Sequence, residues 1–253
     1  MRDRPRVDGV AVHSWPAPAQ RVRLTLLAGF ALVAATWIAA PTSARSVVKP
    51  TQDLVALYSP HKAMSKPDEG SALLARVSAR RPITEQRTVL PVLRHKTING
   101  HRWLLVRLPG RPNGRKGWIT RRATVSFQTS WHIVVVTSSR RVVVYRHGRR
   151  IRIFEAVVGK PSTPTPLGEF FVEESIKLPA NAVGAPFALA LSARSNVFQE
   201  FAGGPGQIAL HGLQNIGGTP GTAVSHGCVR LDTGAVRWLA RRITPGVPVT
   251  ITR

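Results

Sequence analysis

The chain has 253 residues, 43% of them hydrophobic, enough to bury a sizeable core in one large domain or two small ones. Aromatic content of 6% with 20 prolines and 21 glycines argues against long helices and for short strands joined by turns, so the class expected is mainly β. A formal charge of +24 from 36 basic and 12 acidic residues predicts attraction to polyanions, but no groove-reading helix or aromatic-basic surface pattern is visible, so nucleic acid is not the expected partner.

In chain order, Arg2, Arg4, Arg6, Arg21 and Arg23 precede an uncharged run at 24–40, and the small residues Thr42 and Ala44 follow where an A-x-A-like cleavage site places them. Residues 1–44 therefore read as an export signal, with an uncleaved membrane anchor as the alternative, since the run is just short of the ~20 residues that span a bilayer. Residues 45–72 read as a linker. From 73 to 126 short β-prone runs at 74–77, 88–93, 102–108 and 117–119 alternate with turns, and Asn99-Gly100 between two of them is a strong hairpin signal. The Trp103-Leu104-Leu105-Val106-Arg107 strand and the closing Gly117-Trp118-Ile119 resemble the bacterial SH3-like barrel often attached to wall enzymes.

A second β domain is expected over 131–253. Residues 133–136 and 142–145 alternate as a hairpin, 151–158 supplies another strand, and a proline-rich turn at 159–166 leads into a strand at 167–172. Residues 173–206 read as an irregular surface excursion with the makings of a lid. One short helix follows near the C-terminus: Asp232 is a good N-cap, Val236, Leu239, Ala240 and Ile243 share one face, and Pro245-Gly246 stops the run before a last strand at 247–251.

The residues with chemistry in them lie at Ile208-Ala209-Leu210-His211-Gly212 and Ser225-His226-Gly227-Cys228-Val229-Arg230, joined by a segment bearing Gly217, Gly218 and Gly221. Cys228 is the only cysteine, which excludes an internal disulfide. A lone thiol in an exported protein reads as a reactive group, with an inert buried cysteine as the alternative. If the glycine-bearing segment folds back, the imidazole of His211 meets that thiol, whose ordinary pKa near 8.5 leaves it mostly protonated until a base removes the proton. His211, His226 and Cys228 offer three zinc ligands, but a fourth has no evident source nearby, so neither metal nor cofactor is expected.

These motifs, with the upstream Thr165-Pro166-Leu167-Gly168-Glu169-Phe170, resemble the L,D-transpeptidase (YkuD-like) catalytic domain from about residue 131 to the C-terminus. The resemblance implies a β-sandwich with Cys228 as nucleophile and His211 as general base and acid. It further implies that the Gly212 carbonyl orients the imidazole and that amides near Gly227 and Cys228 form an oxyanion hole, with His226 either supporting that hole or contacting substrate. Arg230 either holds a substrate carboxylate or braces the loop through backbone carbonyls, and Ser225 either contacts substrate or bonds only to backbone. The implied reaction is an exported, extracytoplasmic one on peptidoglycan stem peptides through a cysteinyl thioester. Cross-linking, L,D-carboxypeptidase trimming and anchoring of wall proteins all share such a site. A non-catalytic wall-binding protein is the competing reading, and anionic wall polymers and membrane attachment are further partners that charge and the N-terminal segment make plausible.

Overall fold

The computed structural model describes residues 48–200 and 204–253, so the expected signal or anchor and its cleavage positions lie outside the described residues. Seven strands form the first sheet: β1 (Gln52–Leu57), β2 (His61–Met64), β3 (Leu73–Val77), β4 (Val89–Ile98), β5 (His101–Arg107), β6 (Lys116–Thr120) and β7 (Thr124–Thr129). Their spatial order is β3-β2-β6-β5-β4-β1-β7. Asn99 and Gly100 have φ of 48° and 74°, the primed turn whose twist matches that of the strands it joins. β4 bends at a register shift between Val92 and Arg94, pairing with β1 before it and mainly with β5 beyond it. The bend curves the sheet around an apolar interior that includes Val55, Leu57, Leu90, Leu104 and Ile119.

The expected linker at 45–72 contains β1 and β2, and β1 is an interior strand hydrogen-bonded to β4 and β7. Leu54 and Val55 are both fully buried, because one faces the sheet's own core and the other faces the turn at Gly246. A strand covered on both faces lacks the alternation by which a half-buried strand announces itself.

Only Ser130 separates β7 from the second half, which comprises β8 (Trp131–Val136), β9 (Arg141–Arg146), β10 (Arg149–Glu155), β11 (Val158–Gly159), β12 (Gly168–Lys177), β13 (Phe187–Arg194), β14 (Gln207–Gly212), β15 (Ala223–Ser225), β16 (Val229–Leu231), α1 (Thr233–Ala240) and β17 (Pro248–Thr252). Eight of these strands form one sheet in the order β10-β9-β8-β17-β12-β13-β14-β16, and β11 pairs in parallel with β15. The mainly β class with one short helix among the described residues agrees with the expectation from composition. The Asp232 carboxylate accepts the Ala235 N–H at 2.8 Å, capping α1, whose Val236 and Leu239 enter the core with Leu189, Leu191, Leu210 and Val229.

Residues 173–194, expected as an irregular excursion, are mostly the end of β12 and the whole of β13. The adjacent carboxylates Glu173 and Glu174 are buried. Arg81, from the turn before β4, pairs with both, and Arg194 Nη1 lies 3.0 Å from Glu173. Burial lowers the Arg194 pKa to about 10, which leaves it charged at neutral pH. Beside this network Phe171 of β12 enters the core of the first sheet, so the two halves share apolar as well as ionic contacts. Burying one such side chain contributes about 1.5–3 kcal/mol. The ion cluster fixes how the halves meet more than it adds stability, since desolvating the charges offsets much of their attraction.

Candidate active site

Strand alternation decides which way the motif residues face. β14 and β16 run in parallel with Leu210 opposite Val229 and His211 opposite Arg230. Leu210 and Val229 are core residues, so the period of two turns His211 and Arg230 to the other face. Cys228, one residue before Val229, falls on that same face. His211, Cys228, Arg230 and His226 line one cleft of about 60 Å³, together with Phe198 and Gln207.

The imidazole is held on two sides. Its Nδ1 lies 2.8 Å from the Gly212 carbonyl oxygen. A carbonyl can only accept, so the proton sits on Nδ1 and Nε2 is left as the basic nitrogen. Beneath the ring runs residue 184: Gly184 O accepts the Gly212 N–H at 2.8 Å, and Gly184 N–H donates to Gln214 O at 2.8 Å. Asn215 ties this segment down by donating to the Ala180 and Ala182 carbonyls. Nothing in the sequence marked Gly184 or Asn215, since their relation to His211 exists only once the 178–186 segment folds against the end of β14.

The thiol is presented by a tight turn. Gly227 has φ of 119°, in the region that favours glycine, and its N–H donates to Ser225 Oγ at 3.1 Å. The Ser225 hydroxyl in turn donates to the Cys228 carbonyl at 2.6 Å. Ser225, expected among the substrate contacts, is fully buried, and its hydroxyl is hydrogen-bonded on both sides within the turn. The Gly227 amide, expected as an oxyanion donor, makes its hydrogen bond to Ser225 Oγ. The upstream motif braces the same turn: Thr165 Oγ1 donates to the Gly227 carbonyl at 2.9 Å, and Thr163 Oγ1 donates to the Ser225 carbonyl at 3.2 Å. Motifs some sixty residues apart in sequence are thus two sides of one hydrogen-bonded loop. Arg230 is buried and donates to the Gly217 carbonyl at 3.0 Å, bracing the glycine-bearing connection, while its Nε has no hydrogen-bond partner among the described residues.

Electrostatics favours a neutral pair. Burial pushes the Cys228 thiol up, against opposing pulls from the Ala209 N–H and the Arg230 guanidinium. Burial also lowers the His211 pKa, outweighing the Gly212 hydrogen bond that raises it, and Arg230 lowers it further. Both shifts favour the neutral forms, thiol and imidazole, at neutral pH. For a histidine with a lowered folded pKa, the base form persists below the ordinary value near 6.5 and is lost as pH falls through the lowered value. Cys228 acylation rates measured from pH 4 to 8 are expected to hold through 6.5 and drop only at lower pH. An acid limb centred at or above 6.5 contradicts the neutral imidazole. Among the described residues no group of three or more His, Cys, Asp or Glu is arranged to hold a metal ion.

Residues 130–251 match the family model described as YkuD, L,D-transpeptidase catalytic domain. L,D-transpeptidase 1 of Mycobacterium tuberculosis is 28% identical over 195 residues, which cover 67% of this chain and 74% of that protein. The YkuD protein of Bacillus subtilis is 30% identical over 123 residues, covering 49% of this chain and 66% of its own. Among solved structures, an L,D-transpeptidase from Mycobacterium smegmatis superposes with a TM-score of 0.40 at 17% identity, covering 65% of this chain and 99% of that one.

Proposed function

With residues 130–251 belonging to the YkuD family of L,D-transpeptidase catalytic domains, we propose that this chain is an exported peptidoglycan L,D-transpeptidase that works through a thioester on Cys228. The observation that carries the reading is the cleft in which Cys228 and His211 face the same way while the Gly212 carbonyl fixes the proton on Nδ1. The Cys228 sulfur attacks the carbonyl of the L-configured centre of a donor tetrapeptide stem as its proton passes to His211 Nε2. The tetrahedral intermediate collapses with breakage of the peptide bond, His211 returns the proton to the departing amine of D-alanine, and a thioester remains. An acceptor amine then attacks the thioester carbonyl, losing a proton to His211, and the thiol is released with the cross-link formed.

With the Gly227 amide donating to Ser225, the oxyanion falls to the Cys228 amide with support from His226, where fixed donors lower the barrier by a few kcal/mol. Arg230, buried and lining the cleft, offers its guanidinium to a substrate carboxylate while holding the Gly217 carbonyl. The first sheet, curved around its own apolar interior with the Gly117-Trp118-Ile119 strand between β2 and β5, we read as the SH3-like module, one body with the catalytic half from β1 onward.

Action on wall peptides places the catalytic half outside the cytoplasm. The 24–40 segment is read as the export signal or anchor, and no helix among the described residues is long and apolar enough to cross a membrane. Anionic wall polymers are the second partner proposed. The fold gathers Arg146 over Trp131, Arg152 between Phe154 and Trp238, and Arg242 over Trp238 into one arginine and aromatic surface at the β10 sheet edge.

The direct test is product analysis with a purified stem tetrapeptide. The wild type is expected to yield the cross-linked dimer and free D-alanine, and Cys228→Ala neither. Tripeptide and D-alanine without dimer assigns L,D-carboxypeptidase chemistry to the same site. No release of D-alanine by the wild type overturns the enzymatic reading and leaves a wall-binding protein.

A further inference from the structure

One wall of the catalytic cleft is held by a residue from the other half of the protein. Arg111 lies in the loop between β5 and β6 of the first sheet, yet its guanidinium donates to the carbonyls of Ser195 at 2.9 Å and Pro205 at 2.7 Å, and to those of Phe198 and Gln199. Two positions on, Asn113 makes a reciprocal pair with the backbone of Arg194: Nδ2 donates to the Arg194 carbonyl at 2.8 Å and Oδ1 accepts the Arg194 N–H at 2.8 Å.

The carbonyls gathered by Arg111 belong to a stretch that reaches the cleft. Ser195, Phe198 and Gly206 line it alongside Cys228, and the Phe198 ring lies 6.0 Å from the ring of His226. Guanidinium and loop are fitted closely: a Cβ on Gly206 would stand 2.3 Å from the Phe198 oxygen and 3.0 Å from Arg111 Nη2. Converging carbonyls repel one another unless a donor sits between them. A planar guanidinium with five N–H groups serves several at once, which a lysine ammonium on its flexible stem does less well.

From this geometry we infer that Arg111 is a positioning residue for the catalytic cleft, through which the first sheet fixes the wall built from Ser195 and Phe198 against His226. The inference rests on the reading of Cys228 as the acylated nucleophile. The first sheet is then part of the catalytic apparatus as well as a neighbouring module, because the cleft is incomplete without the β5–β6 loop.

The test uses the full chain as wild type, Arg111→Ala, Arg111→Lys and Asn113→Ala. Acylation of Cys228 by a penem is followed by intact mass over a range of penem concentrations, and alkylation by iodoacetamide, too small to need the wall, is measured in parallel. Arg111→Ala is expected to slow penem acylation about 10- to 100-fold, chiefly by raising the half-saturating concentration, with iodoacetamide alkylation unchanged. Arg111→Lys is expected to fall between Arg111→Ala and wild type, and Asn113→Ala to shift in the same direction as Arg111→Ala. Hydrogen exchange at 195–200 should rise in Arg111→Ala while that of β12 and β13 stays as in the wild type.

Wild-type penem kinetics in Arg111→Ala, or equal loss of penem and iodoacetamide reactivity, overturns the inference. Should Arg111→Ala not fold, Arg111→Lys carries the same comparison. A wild type that iodoacetamide labels at Cys228 and a penem does not instead overturns the reading of the nucleophile.

Discussion

Cys228→Ala should fold and melt like the wild type, gain no mass from a penem and release no D-alanine from a stem tetrapeptide, a loss of at least about 10⁴-fold because no other group takes the nucleophile's place. His211→Ala should lose nearly as much at neutral pH. Burial holds the Cys228 thiol above its ordinary pKa, so without the imidazole scarcely any thiolate exists at pH 7. The two variants nevertheless differ in a way that identifies the base. Alkali that carries the pH past the raised thiol pKa ionises the sulfur directly, so alkylation of His211→Ala should recover as pH rises beyond the ordinary thiol range, whereas Cys228→Ala has no thiol to recover. If His211→Ala acylates at the wild-type rate at pH 7, another group takes the proton and the assignment of His211 fails.

Gly184→Ala should cripple the enzyme from beneath the histidine. Gly184 has φ of 82°, and a Cβ there would lie 2.5 Å from His211 Nδ1 and 3.0 Å from its Cγ. The ring has to tilt off the Gly212 carbonyl, and the proton that was fixed on Nδ1 loses its acceptor. Displacing a general base by a few tenths of an ångström to an ångström is expected to slow acylation about 100-fold. The left-handed backbone adds a stability cost of roughly 1–2 kcal/mol. Gly221→Ala separates the two effects: its φ is 87° but nothing lies within 4 Å of the added carbon. That control should lose comparable stability and keep its acylation rate. Equal rates in the two variants would mean the contact with the ring has no bearing on catalysis.

Gly184 also shows where reading the chain stopped. Local features were legible because a few neighbouring residues encode them: the Asn99-Gly100 turn, the Asp232 cap with the apolar face of α1, and the β8–β9 hairpin. The pairing of His211-Gly212 with Ser225-His226-Gly227-Cys228 was legible as a motif, and in the fold the Gly212 carbonyl lies 2.8 Å from the imidazole Nδ1. β1 was not legible, since a strand packed on both faces carries no alternation. The end of β12 and the whole of β13 were not legible either, since the run of small residues in 173–206 reads as a loop until its neighbours pair with it and Arg81 neutralises Glu173 and Glu174.

By itself, then, the sequence determined the mainly β class, the motif that makes Cys228 and His211 the candidate nucleophile and base, and the turns and caps whose conformations follow from residue type over a few positions. Tertiary structure alone decided that Ser225 and the Gly227 amide bond each other within the loop, that burial shifts thiol and imidazole toward their neutral forms, that Glu173 and Glu174 lie buried against Arg81, and that Arg111 reaches the wall of the cleft. Each of these depends on desolvation or on a partner tens of residues away, and such quantities take values only when packed neighbours exclude water and bring the partners within hydrogen-bonding reach.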